Sequence, residues 1–325
     1  MALIDQTHEF VIPTPLTGRR LDAALAELCR DYSRTLIKGW IEAGRVTING
    51  VQSRKPREVV HAADRVVLVA SFADTTELEP QKLLFALAYE DDTVLVIDKP
   101  PGLVVHPGAG NPDHTLVNGL LYRFPDLAGL PRAGVIHRLD KDTSGLLLVA
   151  RTAAAFQSLT RQMAGREIHR VYAALVHGVP VVSGTVNAAM SRDRVQRTRM
   201  RVAPSGREAI THYRVLKRFR AHAHLELALE TGRTHQIRVH MQHLGHPLIG
   251  DPTYAKGRIA PSRLSPSLKV ALNRITRQAL HAKQLEFEHP ATGEMIRVKS
   301  ALPADFRRAL RALGDDLKTG SGLDD

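Results

Sequence analysis

Residues 134–150 read GVIHRLDKDTSGLLLVA and place a charged loop between two apolar segments. The second segment, residues 146–150, is too short for a typical helix and follows Gly145, which favours a buried strand. Val135 and Ile136 form a shorter apolar segment before the loop, so the pattern predicts two buried strands framing it. Loops held by rigid strands often carry chemistry, and this one combines carboxylates, cations, an imidazole and hydroxyls. A solvated turn with a Thr or Ser cap would give the same pattern, and periodicity alone leaves both interpretations open.

The size and charge of the chain narrow the function classes. Its 325 residues suffice for about two domains with a substantial core. It carries 45 Lys and Arg against 33 Asp and Glu, a net charge of +12. This excess favours a polyanionic partner, nucleic acid first and an acidic membrane surface second, although a merely basic soluble protein would show it too.

Cysteine content and hydropathy exclude further classes. The single cysteine, Cys29, excludes an intramolecular disulfide and a cysteine zinc cluster. No apolar run reaches the roughly 18 residues that a membrane span requires. The N-terminal sequence also lacks the pattern of a secretion signal, so we expect a cytoplasmic protein without a membrane partner.

Residues 17–75 have the pattern of a small module of two helices followed by a small sheet. Residues 45–48 alternate as a strand, and Asn49-Gly50 is a strong tight-turn signal. Further strands are expected at residues 55–59 and 64–69, whereas residues 1–15 look like a loose leader with a short strand at 9–12. Apolar residues recur at helical spacing in two segments: Leu21, Leu25 and Leu28, then Leu36, Ile37, Trp40 and Ile41.

This module resembles the S4 RNA-binding domain. The matching segments are Arg20-Leu21-Asp22, Ser33-Arg34, IEAGRVTING at residues 41–50 and ADRV at residues 63–66. The family more often has glycine where Ala63 stands. The resemblance implies that the two helices bind structured RNA through phosphate contacts, with Arg34 and Lys38 as candidate contacts. A packing module with solvated charges is the alternative, but the clustering of cations before the strands favours RNA.

The rest of the chain alternates short strands and helices up to about residue 312, which predicts an α+β protein with a second, larger domain at residues 83–312. Residues 73–81 are polar and contain Pro80, so we expect them to form the linker. Residues 313–325 are polar and acidic, and we expect a disordered tail.

Residues 192–220 form the most basic stretch, with ten Lys and Arg against two acidic residues. Within it, VQRTRMRV at residues 195–202 alternates cations with polar or apolar side chains, which predicts an exposed strand. Arg197, Arg199 and Arg201 are therefore candidate contacts to RNA phosphates. An edge strand whose charges discourage aggregation is the alternative interpretation.

Metal and cofactor chemistries find little support. Four histidines lie within twelve positions, namely His235, His240, His243 and His246. On a helix only His240 and His243 would share a face, no glutamate occupies the catalytic place of the zinc peptidase motif, and no cysteine is near. A dinucleotide fingerprint and a phosphate loop are both missing, so we expect neither a metal nor a cofactor.

Other readings of the charged loop are weak. His137-Arg138-Leu139-Asp140 is only superficially like a kinase catalytic loop, because the asparagine and the magnesium-binding motif are missing. Ser144 has no nucleophile-elbow spacing around it. Asp140 and Asp142 could form a glycosidase pair, but nothing in the sequence splays them across a substrate.

Taken with its neighbours, the loop resembles the central motif of the RluA family of pseudouridine synthases. With an S4 module in front, the chain is most similar to the RluD-type branch of that family. Lys or Arg varies in the family at position 170. The motifs occur in one order between residues 83 and 310: KPPGLVVHP at 99–107, HRLDKDTSG at 137–145, RVY at 170–172, TGRTHQIRVH at 231–240, GHPLIGD at 245–251 and LHA at 280–282.

The resemblance implies a mixed, mainly antiparallel sheet with flanking helices, and a cofactor-free isomerisation of uridine to its C-glycoside. The expected substrate is 23S ribosomal RNA, alone or in the pre-ribosomal large subunit, at the helix 69 stem-loop, and the expected enzyme is a monomer. A relative that modifies another ribosomal site or transfer RNA is the first alternative. A non-catalytic RNA-binding assembly factor is the second.

The resemblance also implies roles for individual residues. Asp140 matches the nucleophile, Arg238 the arginine that pairs with it, and Tyr172 the residue that stacks on the target base. Arg138 matches the position whose side chain fills the space left by the flipped base. Ile237 is a candidate apolar wall of the pocket, and His137 is a further candidate substrate contact.

Overall fold

The computed structural model describes residues 4–29, 32, 34–72, 78–108, 110–255 and 264–320. The chain divides into two compact units, Met1–Glu77 and Leu78–Asp325. Among the helices of these described residues, none combines the length and the apolar character needed to cross a membrane.

The first unit packs two helices against a four-stranded antiparallel sheet in the order β1-β4-β2-β3. Asn49 and Gly50 form the tight turn between β2 and β3 with φ of 51° and 83°. The apolar positions that recur at helical spacing form the core, with Leu21, Leu25 and Ile37 fully buried. The elements are β1 (Ile4–Val11), α1 (Leu21–Leu28), α2 (Arg34–Glu42), β2 (Val46–Ile48), β3 (Val51–Ser53) and β4 (Arg65–Phe72).

Two expectations for this unit were wrong. The leader is not loose, because β1 spans Ile4–Val11 and pairs along its whole length with β4. The short strand predicted at residues 9–12 captured only the end of β1, because the partner strand lies more than fifty residues away. Residues 55–59 form no strand and contribute only a single bridge, from Val59 to Arg20. The expected contribution of Ser33 lies outside the described residues.

The second unit is built on a nine-stranded sheet whose path runs β5-β6-β7-β14-β8-β13-β12-β9, with β15 paired to β14. All neighbours are antiparallel except β7 and β14, which confirms the mixed, mainly antiparallel sheet of an α+β protein. The strands are β5 (Ala86–Glu90), β6 (Val94–Lys99), β7 (Ser144–Ala150), β8 (His169–His177), β9 (Ser183–Asn187), β10 (Met190–Arg192), β11 (Met200–Val202), β12 (Ile210–Arg218), β13 (His222–Leu229), β14 (Leu280–Glu288) and β15 (Met295–Lys299). The helices are α3 (Leu116–Arg123), α4 (Ala153–Ala164), α5 (Gln236–His243), α6 (Pro266–Asn273) and α7 (Ala304–Gly320).

Strand β7 lies inside the sheet with both faces covered, which explains its continuous apolar sequence. Leu147 and Val149 pack in one core with α3, whereas Leu146 and Leu148 pack in another with α4. The second framing strand that we predicted before the loop does not form, since Val135 makes only one bridge, to Val149. Gly134 turns the chain there with φ of 75°, and a Cβ at this position would lie 2.0 Å from the Ala150 carbonyl oxygen.

Helix α7 corrects the expectation of a disordered tail from residue 313. The helix continues to Gly320, and residues 321–325 lie outside the described part. Leu313 packs in the core, and the buried Asp316 accepts a hydrogen bond of 3.1 Å from the Ser265 N–H. A segment that looks polar in sequence is helical because one of its faces is packed.

Candidate active site

A cavity of about 550 Å³ opens where the charged loop, strand β8 and the start of α5 meet. Six of the residues singled out from the sequence line it together: His137, Arg138, Asp140, Tyr172, Ile237 and Arg238. These residues come from segments up to about a hundred positions apart in the chain, so the fold and not local sequence assembles the site.

Asp140 and Arg238 meet at the wall of this cavity. The Arg238 Nη1 donates to the Asp140 Oδ2 across 3.2 Å. The other side of the guanidinium is bound by Asp251, with 2.7 Å from Nε to Oδ2 and 3.0 Å from Nη2 to Oδ1. Asp251 is completely buried, whereas the Asp140 side chain keeps 15% of its surface exposed. Arg238 is therefore held by a buried carboxylate and presents its remaining donor to the carboxylate in the cavity.

Electrostatics keep Arg238 and Asp251 ionised. Burial by itself would lower the pKa of Arg238, but the hydrogen bonds and charges of Asp251 and Asp140 raise it above its ordinary value. Burial by itself would raise the pKa of Asp251, but the bonds from Arg238 and from the backbone of Tyr254 and Thr253 lower it. The sequence motif contains Asp251, but its role was missed because nothing in the sequence pairs it with Arg238.

Lys99 stabilises the loop that carries Asp140. This lysine is fully buried, and its ammonium donates to the carbonyl oxygens of Pro100, Leu103 and Lys141 at 2.8–2.9 Å. Burial lowers the pKa of Lys99 to about 7, and the nearby charges of Asp142 and Asp140 oppose that shift. Arg277 ties the same loop from another side through the Asp142 carbonyl oxygen at 2.9 Å. Sequence reasoning missed both residues, although the KPPG motif contained the signal for Lys99.

Tyr172 projects from β8 into the cavity and retains 4% exposure. Burial raises the pKa of its phenol, while the charge of Arg170 lowers it and the charge of Asp140 raises it. The phenol is therefore neutral at physiological pH. Ile237 is equally buried and belongs to the same apolar cluster as Tyr172, so the cavity has an aromatic and an apolar surface side by side.

Arg138 lies at the exposed side of the cavity, where its side chain makes no hydrogen bond or ion pair with any residue that the structure describes. His137, its neighbour, accepts a hydrogen bond at Nε2 from the Leu148 N–H across 3.1 Å. The Arg138 side chain thus remains free to contact a ligand, whereas the His137 ring is held by the Leu148 N–H.

The arginines of the basic stretch do not line the cavity. The prediction of an exposed strand at residues 195–202 is wrong. Strands β10 and β11 form a short hairpin, and only the last three residues of the predicted segment, 200–202, are extended. Arg197 and Arg199 lie in the turn of this hairpin, and Arg201 lies in β11. The Arg199 guanidinium stands 5.2 Å from the centre of the Tyr254 ring. Residues 193–199 turn because Asp193 accepts hydrogen bonds from the backbone of Val195 and Gln196.

In the first unit, the two candidate phosphate contacts have acidic neighbours. Arg34 binds the buried Asp22 at 3.0 Å, and Lys38 stands 3.4 Å from Glu42. Both cations remain about half exposed, so each can still face a phosphate.

The histidines considered as metal ligands serve separate purposes. His240 is buried and bonds to Thr211 and to the Ala188 carbonyl oxygen, whereas His235 bonds to the Tyr254 hydroxyl at 2.9 Å. Over the described ranges, no three His, Cys, Asp or Glu side chains gather closely enough to hold a metal ion.

Comparison with known proteins defines the class. The RNA pseudouridylate synthase family matches residues 93–243, and the S4 domain matches residues 19–66. A solved structure, Human RNA Pseudouridylate Synthase Domain Containing 4, is similar with a TM-score of 0.56 and 27% identity, covering 70% of this chain and 93% of that one. The resemblances to both families that the sequence motifs indicated are confirmed.

Curated relatives resemble the chain over almost its full length. Ribosomal large subunit pseudouridine synthase D of Xanthomonas campestris pv. campestris is 49% identical over 309 residues, which is 95% of this chain and 93% of that protein. The protein with the same name in Pseudomonas aeruginosa is 48% identical, covering 94% of this chain and 95% of its own length. The chain therefore belongs to the RNA pseudouridine synthase family and is an enzyme of that class with an N-terminal S4 domain.

Proposed function

We propose that this enzyme isomerises uridine to pseudouridine in the 23S RNA of the large ribosomal subunit, at the helix 69 stem-loop. The names of its relatives support the large-subunit substrate. The observation that carries the chemistry is the Asp140 carboxylate, which stands in a nucleoside-sized cavity, 3.2 Å from an arginine that is fixed from behind.

The reaction breaks the bond between C1′ of the ribose and N1 of uracil, turns the base and joins C5 to C1′. Asp140 supplies the carboxylate beside the sugar and the base. A carboxylate is a modest nucleophile, so its exact placement contributes much of the rate. Arg238 orients it through a hydrogen bond, and Tyr172 offers a neutral ring on which the uracil stacks.

The target uridine has to leave its stem or loop to reach Asp140, which costs a few kcal/mol of unstacking. Arg138, free at the rim of the cavity, has a planar guanidinium that can stack in the vacated place. Phosphate contacts from the hairpin arginines, Arg197, Arg199 and Arg201, and from Arg34 and Lys38 in the S4 domain offset the remaining cost.

Ribosomal RNA as substrate implies action in the cytoplasm. We also propose that the enzyme acts as a monomer. The presence of Asp140, Tyr172 and Arg238 around one cavity argues against a non-catalytic assembly factor.

The proposal is tested by mapping pseudouridines in ribosomal and transfer RNA from a strain in which the gene is deleted. We expect the helix 69 pseudouridines to disappear and to return when the wild-type gene is supplied. Unchanged helix 69 with a loss elsewhere in ribosomal RNA or in transfer RNA would reject this substrate in favour of the first alternative.

Deletion of residues 1–75 tests the role of the S4 domain. We expect RNA binding to weaken by roughly tenfold to a hundredfold near 0.1 M salt, because the phosphate contacts of this module are lost. The dependence of log Kd on log salt concentration should become shallower, and thermal unfolding of the remaining unit serves as the folding control. A salt slope equal to that of the full chain would contradict RNA binding by this domain.

A further inference from the structure

Arg170 is a buried cation that forms no ion pair within the described part of the chain. It lies two positions before Tyr172 on β8, so both side chains face the cavity, and it is only 6% exposed. Its one hydrogen bond is a long one, 3.4 Å from Nη2 to the Glu230 carbonyl oxygen. Its Nε is out of contact with solvent and has no partner, and it forms no ion pair with any carboxylate of the described residues.

His137 adds a second buried donor without a partner. Burial, reinforced by the charge of Arg170, lowers the pKa of His137 to about 3, so the ring is neutral at physiological pH. Because Nε2 accepts the Leu148 N–H, the single ring proton has to sit on Nδ1. Nδ1 is shielded from solvent, and among the described residues its one neighbouring acceptor is the Arg138 backbone, whose geometry falls short of a full hydrogen bond and which offsets part of the pKa shift.

Such groups are costly in the free protein. An unpaired buried donor loses its hydration without replacement, and a buried charge without a counterion costs more. Arg170 and His137 both line the substrate cavity, as does Tyr172, whose phenol is influenced by the charges of Arg170 and Asp140. A pair of donors of this kind favours a ligand with acceptor oxygens and negative charge.

We propose that the Arg170 guanidinium and the His137 Nδ1–H bind the carbonyl oxygens of the target uracil and stabilise the negative charge that the base acquires when it leaves the sugar. This role rests on the proposed function and extends it, since it assigns two further residues of the cavity lining to the leaving base.

The chemistry requires such a site. When the C1′–N1 bond breaks, its electron pair stays on uracil, and the charge is shared by N1, O2 and O4. The Asp140 carboxylate compensates the electron deficiency of the sugar, either by bonding to C1′ or by taking the proton of C2′. C5 then bonds to C1′, Asp140 is released or returns its proton, C5 loses a proton and N1 gains one, so no atom or charge is gained or lost. On both routes the uracil carries a full negative charge between the two bonds.

Arg170→Met separates this role from a structural one. Methionine fills the apolar part of the space without a buried charge, so we expect the melting temperature to stay equal or to rise. The Kd for RNA should change less than about threefold, whereas kcat should fall by roughly 10²- to 10³-fold, as for the loss of one oxyanion donor. Arg170→Lys, which retains the charge, should recover part of kcat. Arg214→Met is the control, since Arg214 lies outside the cavity and already pairs with Glu226, and it should leave kcat unchanged.

Substrate RNA with 5-fluorouridine at the target position identifies the bound group. Fluorine withdraws electrons and stabilises the departing uracil anion, so the loss of rate in Arg170→Met should be smaller with this RNA when loss of the N-glycoside is followed in single turnover. His137→Phe removes the Nδ1 donor and also deprives the Leu148 N–H of its acceptor, so its rate loss alone does not isolate the donor. For this variant the measurement is therefore the rate loss with uridine compared with the rate loss with 5-fluorouridine.

The outcomes separate the alternatives. An equal rate loss with uridine and 5-fluorouridine would overturn the proposal. A defect confined to Kd would make Arg170 a phosphate contact, and a lower melting temperature with a normal rate would make it structural. Conversion of uridine by the wild-type enzyme in the same assay tests the proposed function separately.

Discussion

Asp140→Asn is expected to lower the single-turnover rate of pseudouridine formation by roughly 10⁴-fold, the scale seen when a residue of a catalytic unit is removed. The amide is almost isosteric with the carboxylate, but it is a poor nucleophile and a poor base, so neither route at the sugar remains. The Kd for RNA should stay within about threefold, because Asp140 contributes one of many contacts.

Asp142→Asn provides the matched control, since it removes the same charge from the same loop. Asp142 does not line the cavity, and its carbonyl oxygen, which binds Arg277, is unaffected by the substitution. Because the Asp142 charge also raises the pKa of the buried Lys99 that holds this loop, we expect a loss of activity of up to about tenfold, far smaller than that of Asp140→Asn. Comparable activity of Asp140→Asn and the wild-type enzyme would refute the assignment of the site.

Arg238→Met is expected to reduce both stability and activity. It leaves Asp251 completely buried without its cation, which should lower the free energy of unfolding by about 3–5 kcal/mol. It also frees the Asp140 carboxylate, so kcat should fall by roughly 10²-fold or more through lost orientation. Urea unfolding and single-turnover kinetics measure the two effects separately. Arg297→Met, which removes an exposed ion pair with Glu286, should leave the free energy of unfolding almost unchanged.

Loss of Arg238 should also change how the free energy of unfolding depends on pH. The folded protein holds the pKa of Asp251 below its ordinary value of 3.8, so its stabilising contribution is present above that pH and is lost as the pH falls through the folded pKa. In Arg238→Met the buried carboxyl has a raised pKa, and the free energy of unfolding should already rise as the pH is lowered toward the ordinary value. A variant as stable as the wild type with the same acid profile would show that the triad does not hold the site.

Much of the site was readable from the sequence because its motifs are uninterrupted. The HRLD segment identified Asp140, and the apolar run after it predicted β7. The helical spacing of Leu21 and Leu25 likewise predicted α1 and the core of the first unit. These features depend on periodicity and on short runs of residue types, which neighbours along the chain decide.

Other features required the folded chain. The sequence named Arg238 but not Asp251, which holds it, and it could not show that Arg170 is buried without a counterion. The pairing of β1 with β4 and the hairpin at residues 193–199 were likewise hidden. By itself the sequence determined the class of protein, the candidate catalytic aspartate and the helices and strands with strong periodicity. The tertiary structure alone decided which charges meet and which stay unpaired, because the fold brings together side chains about a hundred positions apart. The energy of each charge then depends on its burial and on the charges beside it.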